Sequence, residues 1–451
     1  MTYGLLGYAS YLPHHRLPGA AIGLRKGDRV VASYDEDSTT MAVAAASRAL
    51  RAGDVPAAIY LATSTPAYAD KTNASAVHAA LGLPAEVLAA DLCGTARSSI
   101  AGLLTSARGG GLVVAADVRV GKPGSADERT GGDGAASVWF GEGAPIAEML
   151  AAQSCTAEFL DRWRDPTSTT GYQWEERFGA ERYGALIRST ARAALDAAQI
   201  ADADHVVIAC PNTAVVKRAS TLVKGQKTVT TSPVGHTGAA DPLIALAGVL
   251  DIAEPGDSIL LLSAVDGCDA VVLRATAALP AKRQALPLAG QRSAGIPVPH
   301  LTYLAWRGLV ELESPRRPEP ERAAAPPASR SQRWKFGFNG SRCTECGFTH
   351  LPPLRVCRSC RSVDAMTEVP IAAMAGTVVT YTVDRLAFSP SPPMVQAVID
   401  IDGGGRCTLE VADARPEELT VGTRVRFAFR RLFTAGGVHD YFWKAVQDSA
   451  E

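Results

Sequence analysis

Cys343-Thr-Glu-Cys346 and, after a ten-residue arm, Cys357-Arg-Ser-Cys360 are two knuckles that can offer four thiolates to one tetrahedral ion. A two-residue spacer lets both sulfurs of a knuckle reach the same metal. With all four positions filled none is open for catalysis, so the chemistry is that of a structural zinc ribbon. The alternative is four cysteines that are packed or incidental. Cys93 is a different kind of candidate. The run AEVLAADLCGTARSSIAGLLTSA places it where an apolar strand ends and a helix begins, with Ile100, Leu103, Leu104 and Ala107 at helical spacing. The positive end of a helix dipole lowers a thiol pKa and favours the nucleophilic thiolate. The competing reading of Cys93 is a small residue packed at a strand end.

The elements that must position these residues follow from patterning. Apolar runs at 57–63, 111–116, 205–210 and 258–264 alternate with Ala-rich stretches of helical period at 38–50 and 183–198, which predicts α/β layering. GLVVAADVRVG then DGAASVWFG is echoed by SILLLSAVDG then CDAVVLRA, each a strand, a Gly-containing turn and a second strand, so two similar halves are expected. The segment 314–332 is rich in Pro, Arg and Ala and reads as an extended connector. Beyond it, five strands are expected at 377–386, 394–401, 406–412, 424–431 and 440–446, a count that fits a small OB-type barrel.

Composition bounds the partners. The 451 residues hold 45 basic and 46 acidic side chains, a net charge of −1, so no global field points to nucleic acid or an anionic membrane. Five cysteines outside the knuckles (Cys93, Cys155, Cys210, Cys268, Cys407) suit a reducing compartment rather than a disulfide framework. The N-terminus lacks a basic flank, and the longest apolar stretch, near 243–253, is broken by Asp251. Neither a signal peptide nor a membrane span is expected, which leaves the cytoplasm. The 313–361 stretch carries ten Arg or Lys against four Glu. Tyr381, Phe388, Phe427, Phe429 and Phe433 could stack bases on an OB surface, but alternate aromatics on short strands read first as barrel core.

The segments 33–50, 91–103, 116–141, 159–166, 210–220, 234–270 and 303–308 carry a resemblance. Residues 1–312 resemble the thiolase superfamily, and within it the archaeal and bacterial hydroxymethylglutaryl-CoA synthases, with initiating ketoacyl synthases further off. The resemblance implies a thiolase fold of two βαβαβ halves in αβαβα layers. After a connector at 313–332, residues 333–371 and 372–451 resemble the zinc ribbon and OB fold that accompany acyl-CoA enzymes.

The resemblance also implies roles. Cys93 would be acylated by an acyl-CoA, and its backbone N–H with that of Gly267 would form the oxyanion hole. Two synthase groups are missing: the general-base glutamate falls at or near Thr63, and the histidine of His-Gln-Pro-Asn falls on Ala209. In their place Gly235-His236-Thr237-Gly238 is similar to a thiolase motif whose histidine takes the proton of the cysteine, so His236 is the expected base. The alternative for His236 is a cap on the helix that begins near Ala240. Asn212 would hold a substrate carbonyl. Cys268 is a second candidate acid/base, with packing as the better reading. Lys217, Arg218, Lys224 and Lys227 would hold CoA phosphates or form a solvated face. The expected activity is acyl transfer from a CoA thioester through acyl-Cys93 to a carbon nucleophile or another acceptor. The alternatives are retro-aldol or thiolytic cleavage and a catalytically lapsed scaffold for a partner thiolase-type enzyme. A homodimer is expected, with a thiolase-like partner chain as the alternative.

Overall fold

Ten strands form one sheet in the first part of the chain. They are β1 (Gly4–Tyr11), β2 (Ala58–Thr63), β3 (Leu88–Cys93), β4 (Gly111–Asp117) and β5 (Gly134–Gly141), followed by β6 (Ala147–Thr156), β7 (Ala203–Ala209), β8 (Gly225–Thr230), β9 (Ser258–Ser263) and β10 (Gly267–Ala275). In this computed structural model residues 3–313 and 317–448 are described. Met1 and Thr2 of the N-terminal reading and residues 314–316 of the expected connector lie outside the described residues.

The sheet order is β8-β7-β9-β10-β6-β1-β5-β4-β2-β3. Read outward from the centre, β1-β5-β4-β2-β3 is repeated by β6-β10-β9-β7-β8, and the directions repeat as well. In each half the first two pairings are antiparallel and the last two parallel. The halves meet through a single pair, Leu5 with Ala147. The sequence echo is thus the β4-β5 hairpin and its counterpart β9-β10.

The helices repeat too. α1 (Ser38–Ala49) follows β1 as α3 (Glu176–Ala197) follows β6, and α2 (Ala96–Gly109) follows β3 as α5 (Asp241–Leu250) follows β8, with the short α4 (Thr213–Lys217) after β7. Asp37 caps α1 in a capping box with Thr40, with the Asp37 carboxylate accepting from the Thr40 N–H at 2.9 Å. α5 is almost wholly apolar and buried on every side, which is the pattern of a helix with no face to solvent. It packs against α2, and both touch strands of the two halves, so they form the central layer. Ile100, Leu103 and Ala107 of α2 share one apolar cluster with Leu243, Ile244 and Leu246 of α5. α3 covers β6 and β10 through Tyr183, Ile187, Ala191 and Ala194.

Two compact units result. One takes in the chain up to Ala32, Asp37–Ser75 and Pro84–Tyr303; the other takes in Ser33–Glu36, Ala76–Leu83 and the chain from Leu304 onward. Within the second, Asn339–Cys343 pairs with Thr349–His350 and with Met366–Pro370 in a small ribbon. Five strands follow: β11 (Ala375–Asp384), β12 (Met394–Ile401), β13 (Arg406–Glu410), β14 (Arg424–Ala435) and β15 (Val438–Gln447), in the order β13-β12-β11-β14-β15. A bridge between Val411 and Ala445 joins the two ends of that order, which closes the OB-type barrel. Phe427 and Phe429 are buried in it, as barrel core requires. The connector departs from the extended reading: Ala325–Arg330 is a short helix, with Pro tolerated in its first turn, where the missing N–H has no partner to lose. Among the described residues no helix is long and apolar enough to cross a membrane.

Candidate active site

Parallel strands deliver their carboxyl ends to one edge of the sheet, and in this fold class that edge is where ligands sit. β2, β3 and β4 end there in Thr63, Cys93 and Asp117. Thr63 and Cys93 are register partners on adjacent strands, and the N–H of Gly94 donates to the Thr63 carbonyl at 3.2 Å. Gly94 then turns the chain at φ +146°, a backbone conformation that side chains rarely adopt, and Thr95 caps α2.

Asp117 organises the neighbourhood, although no sequence pattern singled it out. It is fully buried, and its carboxylate accepts six hydrogen bonds. Oδ1 receives Thr63 Oγ1 at 2.8 Å, the Ser64 N–H at 2.7 Å, the Thr65 N–H at 3.0 Å and Thr65 Oγ1 at 2.9 Å. Oδ2 receives Ser64 Oγ and the Ala239 N–H, both at 2.6 Å. The last bond ties the second half of the fold to the first, and it requires Gly238: a Cβ there would lie 1.9 Å from Asp117 Oδ2. The available signal was positional, a carboxylate at the end of an apolar strand.

Cys93 is exposed, and its thiol is pushed above the ordinary range by burial, with the carboxylates of Asp91 and Asp117 adding to the effect. This corrects the expectation of a thiolate made by the α2 dipole. Cys93 lies three residues before the first helical residue, and a dipole acts within the first turn. Burial, with two nearby negative charges, pushes the thiol the other way. His236 enters from the loop between β8 and α5, with its N–H bonded to the Thr130 carbonyl at 2.9 Å. Its side chain is 14% exposed, and Nδ1 lies 3.7 Å from Asp241 Oδ2, too long for a hydrogen bond. Burial holds the imidazole below its usual pKa; Asp241 opposes this, and Arg119 and Arg162 reinforce it. Such a histidine is neutral near pH 7 and can accept a proton. It does not cap α5, whose N-cap is Ala240 without a side-chain bond. No hydrogen bond joins Cys93 to His236; the Asp117 network brings their loops together.

Arg97, in the first turn of α2, also went unnoticed in the sequence. It donates to the Asp266 carbonyl at 2.6 Å, to Thr156 Oγ1 at 2.8 Å and to Asp269 at 3.1 Å, which fastens the Cys93 helix to the turn that carries Gly267.

Comparison with known proteins fits this geometry. The hydroxymethylglutaryl-CoA synthase of Methanopyrus kandleri is 30% identical over 318 residues, 63% of this chain and 91% of that protein. That of Archaeoglobus fulgidus is 30% identical over 309 residues, 61% and 90%. The chain belongs to the hydroxymethylglutaryl-CoA synthase family. It is accordingly an acyltransferase of the thiolase superfamily. Solved structures give the same fold. The 3-oxoacyl-(acyl carrier protein) synthase III from Pseudomonas aeruginosa PAO1 superposes with a TM-score of 0.54 at 24% identity, over 61% of this chain and 98% of that one. An HMG-CoA synthase complexed with CoA gives 0.60 at 16%, over 67% and 89%. Residues 339–366 match the ChsH2 rubredoxin-like zinc ribbon domain and 368–430 the ChsH2 C-terminal OB-fold domain.

Against that family the remaining residues divide. Thr63, where the resemblance expects a glutamate, is buried and donates to Asp117, and Ala209 is buried at the end of β7. Asn212 is committed elsewhere: Oδ1 accepts the N–H groups of Ala214 and Val215 as the cap of the short helix Thr213–Lys217, and Nδ2 donates to the Glu176 carbonyl at 2.8 Å. It is fully buried, so the expected hold on a substrate carbonyl gives way to capping. Cys268 is buried in the apolar cluster under α3, and burial pushes its thiol up to about 12, which suits packing and not acid/base work. Lys227 leaves the expected phosphate group, because its ammonium pairs with Asp257 at 2.5 Å. Lys217, Arg218 and Lys224 are exposed.

The four ribbon thiols fit one zinc ion. Their sulfurs all lie within 4.8 Å of one another, with Cys343 to Cys360 at 3.6 Å and Cys346 to Cys357 at 3.5 Å. Four ligands about 2.3 Å from a tetrahedral centre require separations of about 3.8 Å. The zinc would cross-link the two knuckles and have no catalytic position.

Proposed function

We propose that Cys93 takes an acyl group from a CoA thioester and passes it to a carbon nucleophile or another acceptor. The observation that carries this reading is the placement of Cys93 beside Thr63 and the Asp117 network, which draws the His236 loop to the same strand ends. The thiol is held above its usual range and the imidazole below it, so both partners start neutral. His236 takes the thiol proton as sulfur attacks the thioester carbonyl, and returns it to the departing CoA sulfur. The N–H groups of Cys93 and Gly267 receive the oxyanion in this scheme. Without a glutamate at Thr63 or a histidine at Ala209, the aldol step of hydroxymethylglutaryl-CoA synthesis lacks its two expected groups, so simple acyl transfer is the better account.

For the CoA phosphates, Lys217, Arg218 and Lys224 are one candidate seat. A cavity of about 390 Å³ lined by Arg25 and Lys26 is another. A homodimer is supported by β3, an edge strand of sequence LAADLC whose Leu88 is 59% exposed and which has no Lys or Pro to block pairing.

Intact-mass measurement after incubation with a panel of acyl-CoAs tests the reading. A mass gain in the parent and none in Cys93→Ala is expected. If no acyl-CoA adds mass to the parent, the two missing groups favour a lapsed scaffold instead.

A further inference from the structure

Three arginines gather beside the reacting cysteine with too few carboxylates to pair them. Arg162 and Arg164 flank Trp163 in a short hairpin formed by Arg162–Trp163 and Tyr172–Gln173. Arg164 directly follows the strand Arg162–Trp163, and the Arg119 guanidinium feels both arginines. Trp163 stacks on Tyr172 at 5.7 Å, which stiffens the hairpin. Arg162 pairs with Asp127 at 2.6 Å, but its Nε is buried without a hydrogen-bond partner. Arg164 donates to the backbone carbonyls of Ser64 and Ser168. Arg119 donates to Ser64 Oγ at 3.0 Å, a neutral partner. Of the other nearby carboxylates, Asp117 is already saturated by six donors, and Asp161, which feels Arg162, is held above its usual pKa by burial, with neither oxygen hydrogen-bonded. Burial holds the Arg119 guanidinium below its usual pKa; Asp117 and Asp127 oppose this and Arg162 and Arg164 reinforce it, so Arg119 feels all four.

A half-buried excess of guanidinium is unfavourable until an anion enters, and the planar fork of Arg matches a carboxylate. We infer that Arg119, Arg162 and Arg164 form a seat for a carboxylate borne by the acyl or acceptor chain, so that the substrates include thioesters of dicarboxylic acids. The location favours this source over the CoA phosphates. Ser64, which two of the arginines hold, follows Thr63, the register partner of Cys93. The phosphates lie at the far end of the pantetheine arm from the thioester. The inference rests on the acyl-Cys93 reading for its chemistry, while the seat itself can be measured without acylation.

The test uses full-length, zinc-loaded Cys93→Ala protein, titrated calorimetrically with glutaryl-CoA and with hexanoyl-CoA, its neutral counterpart. Glutaryl-CoA should bind about tenfold tighter or more, the usual return on a charged hydrogen bond. The ratio of affinities should fall toward one when Arg119→Gln is added. Gln can keep the bond to Ser64, so the fold should persist; should it not, the parent preference must still shrink as sodium chloride is raised. Equal affinities for the two thioesters, or a preference indifferent to both Arg119→Gln and salt, would overturn the seat. So would Arg119→Gln weakening both CoA thioesters equally while leaving the matching pantetheine thioesters untouched, since that would place the phosphates there. Intact-mass acylation of the parent is read separately, and its failure with the preference intact removes the acyl-enzyme reading alone.

Discussion

The two halves of the ten-stranded sheet share strand order and direction but not chemistry. At the carboxyl ends of β2, β3 and β4 stand Thr63, Cys93 and Asp117; at the equivalent ends of β7, β8 and β9 stand Ala209, Thr230 and Ser263. One half presents a thiol and a carboxylate, the other a methyl and two hydroxyls. The second half contributes through a loop instead. Cys93 precedes α2 and His236 precedes α5, and those helices pack on each other in the central layer. A repeated scaffold therefore brings two unlike loops together, and the asymmetry of side chains on symmetric positions is what makes a site.

The strongest way to break this comparison is at the thiol. Cys93→Ala should remove the acyl-enzyme mass completely, whereas Thr230→Ala at the equivalent strand end should keep acylation within a few-fold of the parent. A similar loss in both would mean that the halves are chemically equivalent. The base comes next. His236→Ala should slow single-turnover acylation by roughly 10² to 10⁴, the range for losing a positioned general base. Acylation at the parent rate would remove His236 from the mechanism.

Asp117 separates the halves by stability. Asp117→Asn leaves several buried donors facing an amide, and should cost roughly 2–4 kcal/mol in denaturant unfolding. Ser263→Ala, at the equivalent strand end, should cost less than about 1 kcal/mol, because Ser263 Oγ has no hydrogen-bond partner. Equal costs would show that the Asp117 network is not what joins the loops.

The smallest effect sharpens the electrostatics. Because the Cys93 thiol is raised, its thiolate fraction is small at pH 7 and grows as pH climbs through and beyond the ordinary thiol range. Iodoacetamide labelling of Cys93 should therefore keep accelerating above pH 9. A rate already level at pH 7 would restore the dipole-lowered thiolate.

Much of the fold was legible because its signals are local. Apolar runs, helical spacing and the echoed hairpins come from short stretches of chain, and the observed strands β2, β4, β7 and β9 fall where those runs do. Cys93 was legible for the same reason, as a strand-to-helix junction. What could not be read is what depends on partners distant in sequence. Asp117 looked like any residue at the end of a run, since its six donors come from 63–65 and from Ala239. The bond that commits the Asn212 amide nitrogen needed the Glu176 carbonyl, and the ion pair of Lys227 needed Asp257.

The sequence by itself determined the zinc ribbon, because two Cys-x-x-Cys knuckles carry their geometry in their spacing, and it determined the alternation that makes an α/β sheet followed by a β-barrel. Only the tertiary structure decided that burial and two carboxylates raise the Cys93 thiol, and that Arg119, Arg162 and Arg164 gather. Charge interactions depend on separation in space and on burial, and neither is encoded in the spacing of residues along the chain.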